Sequence, residues 1–103
     1  MATSKIKSLG YTASAKTRCG TALTIPSSAT DCYVVVYVAN GTSVMQSIVP
    51  LKMGIGITGT EGMAGGSSLF NYTLGTNLSF TVSAVWWYGS DRTSESYYQL
   101  FYK

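Results

Sequence analysis

Histidine is absent from this chain of 103 residues, charged residues make up only 11% of it, and there are just two cysteines and two prolines. Without histidine, the Ser–His and Cys–His pairs that activate most nucleophiles cannot form. Two cysteines alone cannot complete the four-ligand shell of a structural zinc site, so neither a metal nor another cofactor is expected. The four carboxylates are Asp31, Glu61, Asp91 and Glu95. A glycosidase needs two such groups facing one another across a sugar. Only Asp91 and Glu95 lie near each other in sequence, and an Asp in a turn serves local hydrogen bonding. Glu61 sits in a glycine-rich stretch without the Lys-Ser/Thr and following helix of a phosphate-cradling loop. The expectation is a protein that is not an enzyme.

The scarcity of charge has two readings. A Ser/Thr/Asn-rich surface is soluble without it, or part of the surface is covered by copies of the chain or by a partner. The formal net charge is +3, and the seven basic residues are scattered, with Lys5, Lys7, Lys16 and Arg18 near the start. A nucleic-acid binder concentrates Lys and Arg on one stripe, so nucleic acid is not an expected partner. The longest apolar run, 32–39, is too short to cross a bilayer as a helix, and no membrane insertion is expected. Residues 1–9 contain two lysines but no apolar run, so no export signal is read there and synthesis in the cytoplasm is expected. In that compartment Cys19 and Cys32 are reduced thiols by default, with a single Cys19–Cys32 bridge as the alternative.

What is present is a chain 46% hydrophobic, with 8 Tyr and 11 Gly, a mix that suits strands joined by tight turns. In 78–88 the apolar residues Leu78, Phe80, Val82, Ala84, Trp86 and Tyr88 share one parity, which predicts a long strand with its even-numbered side chains in the core. Residues 32–40 form a second strand, apolar on both faces, and so central or interfacial. Asn40-Gly41 then supplies the preferred residues of a two-residue hairpin turn, and 42–49 returns antiparallel. Further strands are expected over 51–57, 70–74 and 96–103, with a short one at 21–25. Residues 58–67, rich in glycine, are expected to form a loop, and 89–93 a polar turn. The pattern predicts an all-β fold: an antiparallel β-sandwich, jelly-roll-like, of about seven to nine short strands. Residues 1–18 form an N-terminal arm or edge strands, and 19–103 a single sandwich domain.

Aromatic side chains are the one feature with binding potential. Parity assigns Trp86, Tyr88, Tyr98 and Tyr102 to the core and turns Tyr33, Tyr37, Trp87 and Tyr97 outward. Outward tyrosines and tryptophans suit a subunit interface, packing under a second sheet, or a sugar-stacking platform. Tyr33, Tyr37, Trp87 and Tyr97, with Arg92 of the polar turn, are the candidate binding or interface residues.

The segments TALTIPSSA (21–29), CYVVVYV (32–38) and SIVPL (47–51), together with the closing Tyr-rich strand, resemble small all-β virion proteins of tailed phages, namely fibre heads and capsid decoration proteins. That resemblance implies a virion component made in the host cytoplasm. It implies a homo-oligomer, with a trimer favoured, that contacts other virion proteins and possible host surface glycans in attachment or capsid reinforcement. It assigns no site residue. The competing expectation is a carbohydrate-binding module or lectin that uses the outward aromatics.

Overall fold

A computed structural model describes residues 9–39, 43–51, 57–61 and 68–103, and of 57–61 the backbone only. Among the described residues ten strands run in chain order: β1 (Thr12–Ala13), β2 (Thr17–Arg18), β3 (Leu23–Thr24), β4 (Cys32–Val38), β5 (Ser43–Ile48), β6 (Ile57–Glu61), β7 (Leu69–Leu74), β8 (Ser79–Trp87), β9 (Ser90–Asp91) and β10 (Tyr97–Tyr102). They form two antiparallel sheets packed as a sandwich. Sheet A has the order β1-β10-β4-β5, with β2 pairing the same edge of β10 as β1. Sheet B has the order β3-β8-β7-β6, with β9 beside β3 on the outer edge of β8. Among the described residues a 3-10 turn lies at Thr93–Glu95, between β9 and β10. Among the described residues no helix is long and apolar enough to cross a membrane.

The core follows from alternation. Val34, Val36 and Val38 of β4, Met45 of β5 and Tyr98 and Leu100 of β10 face Phe70, Leu74, Phe80 and Val82 of sheet B, and all are buried. The β-branched run of β4 makes it the central strand of sheet A, paired on one side with β10 and on the other with β5. Tyr98 spans the two layers: its ring is fully buried, and its hydroxyl lies 2.5 Å from the Thr21 carbonyl oxygen and 3.1 Å from that of Phe80 in β8. Cys19 and Cys32 are both buried and both free thiols.

Several expectations need correction. Alternation in β8 does not run unbroken. Asn71 pairs with Ala84 but Tyr72 pairs with Val82, which leaves Ser83 as an extra residue on β8. A bulge of this kind shifts the side-chain phase by one. Before it Phe80 and Val82 point inward; after it Val85 does, and Trp87 packs against the core. Trp86 and Tyr88, expected inside, are 38% and 64% exposed. Residues 58–61, expected to open a loop, belong with Ile57 to an edge strand paired along its length with β7. Its Gly59 signals irregularity in sequence, yet an edge strand tolerates glycine because only one side must pair. The expected strand over 51–57 and the remainder of the glycine-rich stretch, 62–67, fall largely outside the described residues, as does the Asn40-Gly41 turn. The hairpin around that turn is present, with Val38 opposite Ser43. The polar turn at 89–93 contains β9, which folds back on Trp86 and Trp87.

Candidate functional site

Both faces of β4 are apolar, and only the even-numbered face is used by the core. The other face belongs to the outward side of sheet A, where register alone lines up three rows of side chains. One row reads Ala13, Phe101, Tyr33, Ile48; the next Gln99, Val35, Gln46; the third Arg18, Tyr97, Tyr37, Val44. Three of the predicted site residues, Tyr33, Tyr37 and Tyr97, are therefore neighbours on one surface.

Hydrogen bonds and ring contacts tie these side chains together. Tyr33 stacks on Phe101 at 5.2 Å between centroids, and Tyr11 meets Tyr33 edge-on at 5.5 Å. Tyr37 donates its hydroxyl hydrogen to Gln99 Oε1 at 2.8 Å, and Gln99 Nε2 donates to the Ser14 carbonyl at 2.7 Å. Arg18 lies over the Tyr97 ring at 5.0 Å and donates to its hydroxyl at 2.8 Å and to the Ser94 carbonyl at 2.7 Å. Lys16 Nζ stands 4.3 Å above the Tyr37 ring, and Lys103 Nζ 4.8 Å above Tyr11. Cation–π contacts of this kind keep a cation and a ring together without hiding either. Tyr11 also donates to Asp31. That bond raises the Tyr11 phenol to about 12, and burial raises the phenols of Tyr33 and Tyr37. All three are therefore protonated hydroxyls at neutral pH, able both to donate and to accept.

The two ends of the surface differ. Cations gather toward the β1/β2 edge. The β5 edge is aliphatic and uncharged, with Val44 49% and Ile48 74% exposed. A depression of about 460 Å³ opens there, lined by Tyr33, Gln46, Ser47 and Ile48.

Trp87 and Arg92 do not join this surface. Trp87 belongs to sheet B, packs inward behind the bulge and meets Tyr88 edge-on at 5.1 Å. The Arg92 guanidinium pairs with Glu95 at 3.1 Å in the turn before β10. Asp91, the other acid of that turn, accepts from the Thr93 hydroxyl at 2.7 Å and its backbone N–H at 3.0 Å, and these bonds hold its carboxyl below the usual range. Each of these acids is occupied by turn chemistry. Among the described residues no group of three or more His, Cys, Asp or Glu is gathered. Parity could not have added Lys16, Arg18 and Val44 to the site, because they reach it only through strand order.

The surface combines neutral rings with amide and hydroxyl groups, cations reaching in from the β1/β2 side and aliphatic side chains along the β5 edge. Compared with known proteins, the chain matches no protein family, no curated protein and no solved structure.

Proposed function

We propose that this chain is a non-enzymatic structural or attachment component of a tailed-phage virion, acting as an oligomer that docks through the outward face of sheet A. The observation that carries this reading is the row structure of that face. Tyr33, Tyr37 and Tyr97 lie side by side with the exposed Val44 and Ile48 on a sheet whose opposite face already fills the core. Aromatic residues surrounded by few charges are the composition of a contact centre. A small chain with so little charge gains solubility when such a face is covered.

The test is sedimentation velocity on the purified chain, together with co-sedimentation with phage particles and host cells. The expected result is an oligomer that binds one of them, with binding lost in Tyr37→Ala and Tyr97→Ala variants that still melt cooperatively. A stable monomer without affinity for capsids, tails or cells overturns the proposal.

A second reading, a carbohydrate-binding module, is favoured by one observation: Trp86 and Tyr88 are exposed together at the end of β8. Rings placed this way can stack on sugars. Binding on a glycan array that disappears in Trp86→Ala would support it, and an array without a binder removes it.

A further inference from the structure

We infer that β5 is a self-pairing edge, at which a second copy of this chain adds its own β5 antiparallel and joins two copies of sheet A into one continuous sheet about a two-fold axis at Gln46. This rests on the assembly reading above and names its contact.

An exposed sheet edge is a pairing template unless something blunts it. The β1/β2 edge of sheet A is blunted: two strands of only two residues each, interrupted between Ala13 and Thr17, with Lys16 just before β2 and Arg18 in it. In sheet B, β3 and β9 are also two residues long, and β6 ends on Glu61. Among the described residues the far edge of β5 has no such protection. It is six residues long, carries no charge or proline within its span, and among the described residues no strand pairs with it.

Backbone direction and side-chain pattern agree on one register. Val49 N–H donates to the Cys32 carbonyl at 2.9 Å. Antiparallel partners exchange both bonds at every second residue. The pairs Ser47–Val34, Met45–Val36 and Ser43–Val38 therefore bond inward to β4, and Val44, Gln46 and Ile48 direct their N–H and C=O groups away from it. Those same residues carry the exposed side chains. If a second β5 docks with Gln46 opposite Gln46, then Val44 of each copy faces Ile48 of the other, and all the outward groups pair in about six hydrogen bonds. Aliphatic meets aliphatic at both ends, and two amides that can bond to each other meet on the axis. No like charges are brought together, which a contact between identical patches requires. Directly opposed residues share a face, so both tyrosine surfaces end on the same side of the joined sheet, and Val44 closes over the depression beside Ile48.

Sedimentation velocity on four forms of the full chain tests this. Wild type is expected to be a dimer or a higher even-numbered assembly. Gln46→Pro removes an N–H that points away from β4, so it should dissociate the contact while leaving the circular dichroism spectrum and cooperative melting in place. Gln46→Lys and Gln46→Glu each set like charges face to face and should each lose the dimer, and mixing them should restore it as a heterodimer. A Gln46→Cys chain should cross-link to itself under mild oxidation, because bonded partners on adjacent strands lie within disulfide reach. An odd-numbered assembly, or one unchanged by Gln46→Lys, overturns the β5 contact and leaves the assembly reading intact. A wild-type monomer at every concentration, with no affinity for particles or cells, overturns both.

Discussion

Tyr33 covers Phe101. The two rings stack on the outward side of sheet A with planes 18° apart, and Phe101 is only 1% exposed although it faces away from the core. Sheet A is therefore packed on both sides: against sheet B within, and under a thin aromatic layer without. Phe101→Ala should cost about 3 kcal/mol, as for other buried aromatic truncations. Tyr33→Ala should cost about 1–2 kcal/mol, since its own ring is half open to water. The two losses should fall short of adding, because each removes the same stacking contact. Urea denaturation of the single and double variants measures all three; strict additivity would show that the stack contributes nothing.

The bulge at Ser83 makes a second prediction that separates adjacent tryptophans. Trp87 packs against the core and Trp86 does not. Trp87→Ala should destabilise the chain by about 2–3 kcal/mol, somewhat less than a fully buried aromatic, and Trp86→Ala by about 0.5 kcal/mol or less. Iodide should quench the fluorescence of the chain that retains Trp86 alone far more than that of the chain that retains Trp87 alone. The reverse order, with Trp87 quenched more than Trp86, would mean that β8 keeps one phase along its length.

These two residues also mark how far the sequence can be read. Alternation identified β7 and β8, β-branched and aromatic runs identified β4 and β10, and the Asn40-Gly41 turn identified β5; together they gave the all-β class. Parity placed Tyr33, Tyr37 and Tyr97 outward. It could not register the bulge: Ser83 is an ordinary outward-facing serine in sequence, and neither Gly nor Pro marks the spot. Hence Trp86 and Trp87 exchange places. β3 falls within the short strand expected at 21–25, whereas the two-residue strands β1, β2 and β9 are too short for any period. They form because longer strands offer them an edge, a tertiary cause that local pattern does not contain. The site's cations are hidden for a related reason. Lys16 and Arg18 reach Tyr37 and Tyr97 only because β2 lies beside β10, a pairing across most of the chain.

The buried thiols predict a pH dependence. Burial pushes Cys19 and Cys32 from the usual 9.0 up to about 12. Both are acids that are neutral when protonated, so between those values the folded chain keeps protons that the unfolded chain has released. The folded state loses ground wherever the unfolded state binds fewer protons. Stability from this source is complete below the unfolded value and declines as pH climbs toward about 12. Urea midpoints should fall across that alkaline window and fall less in a Cys19→Ala/Cys32→Ala chain. A thiol reagent should label the folded protein only as fast as it opens. Rapid labelling of both thiols under native conditions would contradict their burial.

Tyr98 provides the most specific test of the sandwich itself. Its ring fills the core between Phe80 and the valines of β4, and its hydroxyl ties β10 to the carbonyls of Thr21 and Phe80 across the layers. Tyr98→Phe keeps the ring and removes the hydroxyl that donates to those two oxygens, so the loss should be about 1–2 kcal/mol, the usual cost of an unmet buried hydrogen bond. Tyr98→Leu also sacrifices ring packing and should lose more. The phenol itself resists ionisation, because burial raises its pKa well above the ordinary value of 10.0. Its proton is therefore held more tightly in the folded state, and it adds to the alkaline decline with the same sign as the thiols. Tyr98→Phe should thus lower stability at neutral pH yet reduce its further fall at high pH, so the stability–pH curves of wild type and variant converge. Parallel curves would place the Tyr98 hydroxyl in contact with water and remove the link between the two sheets.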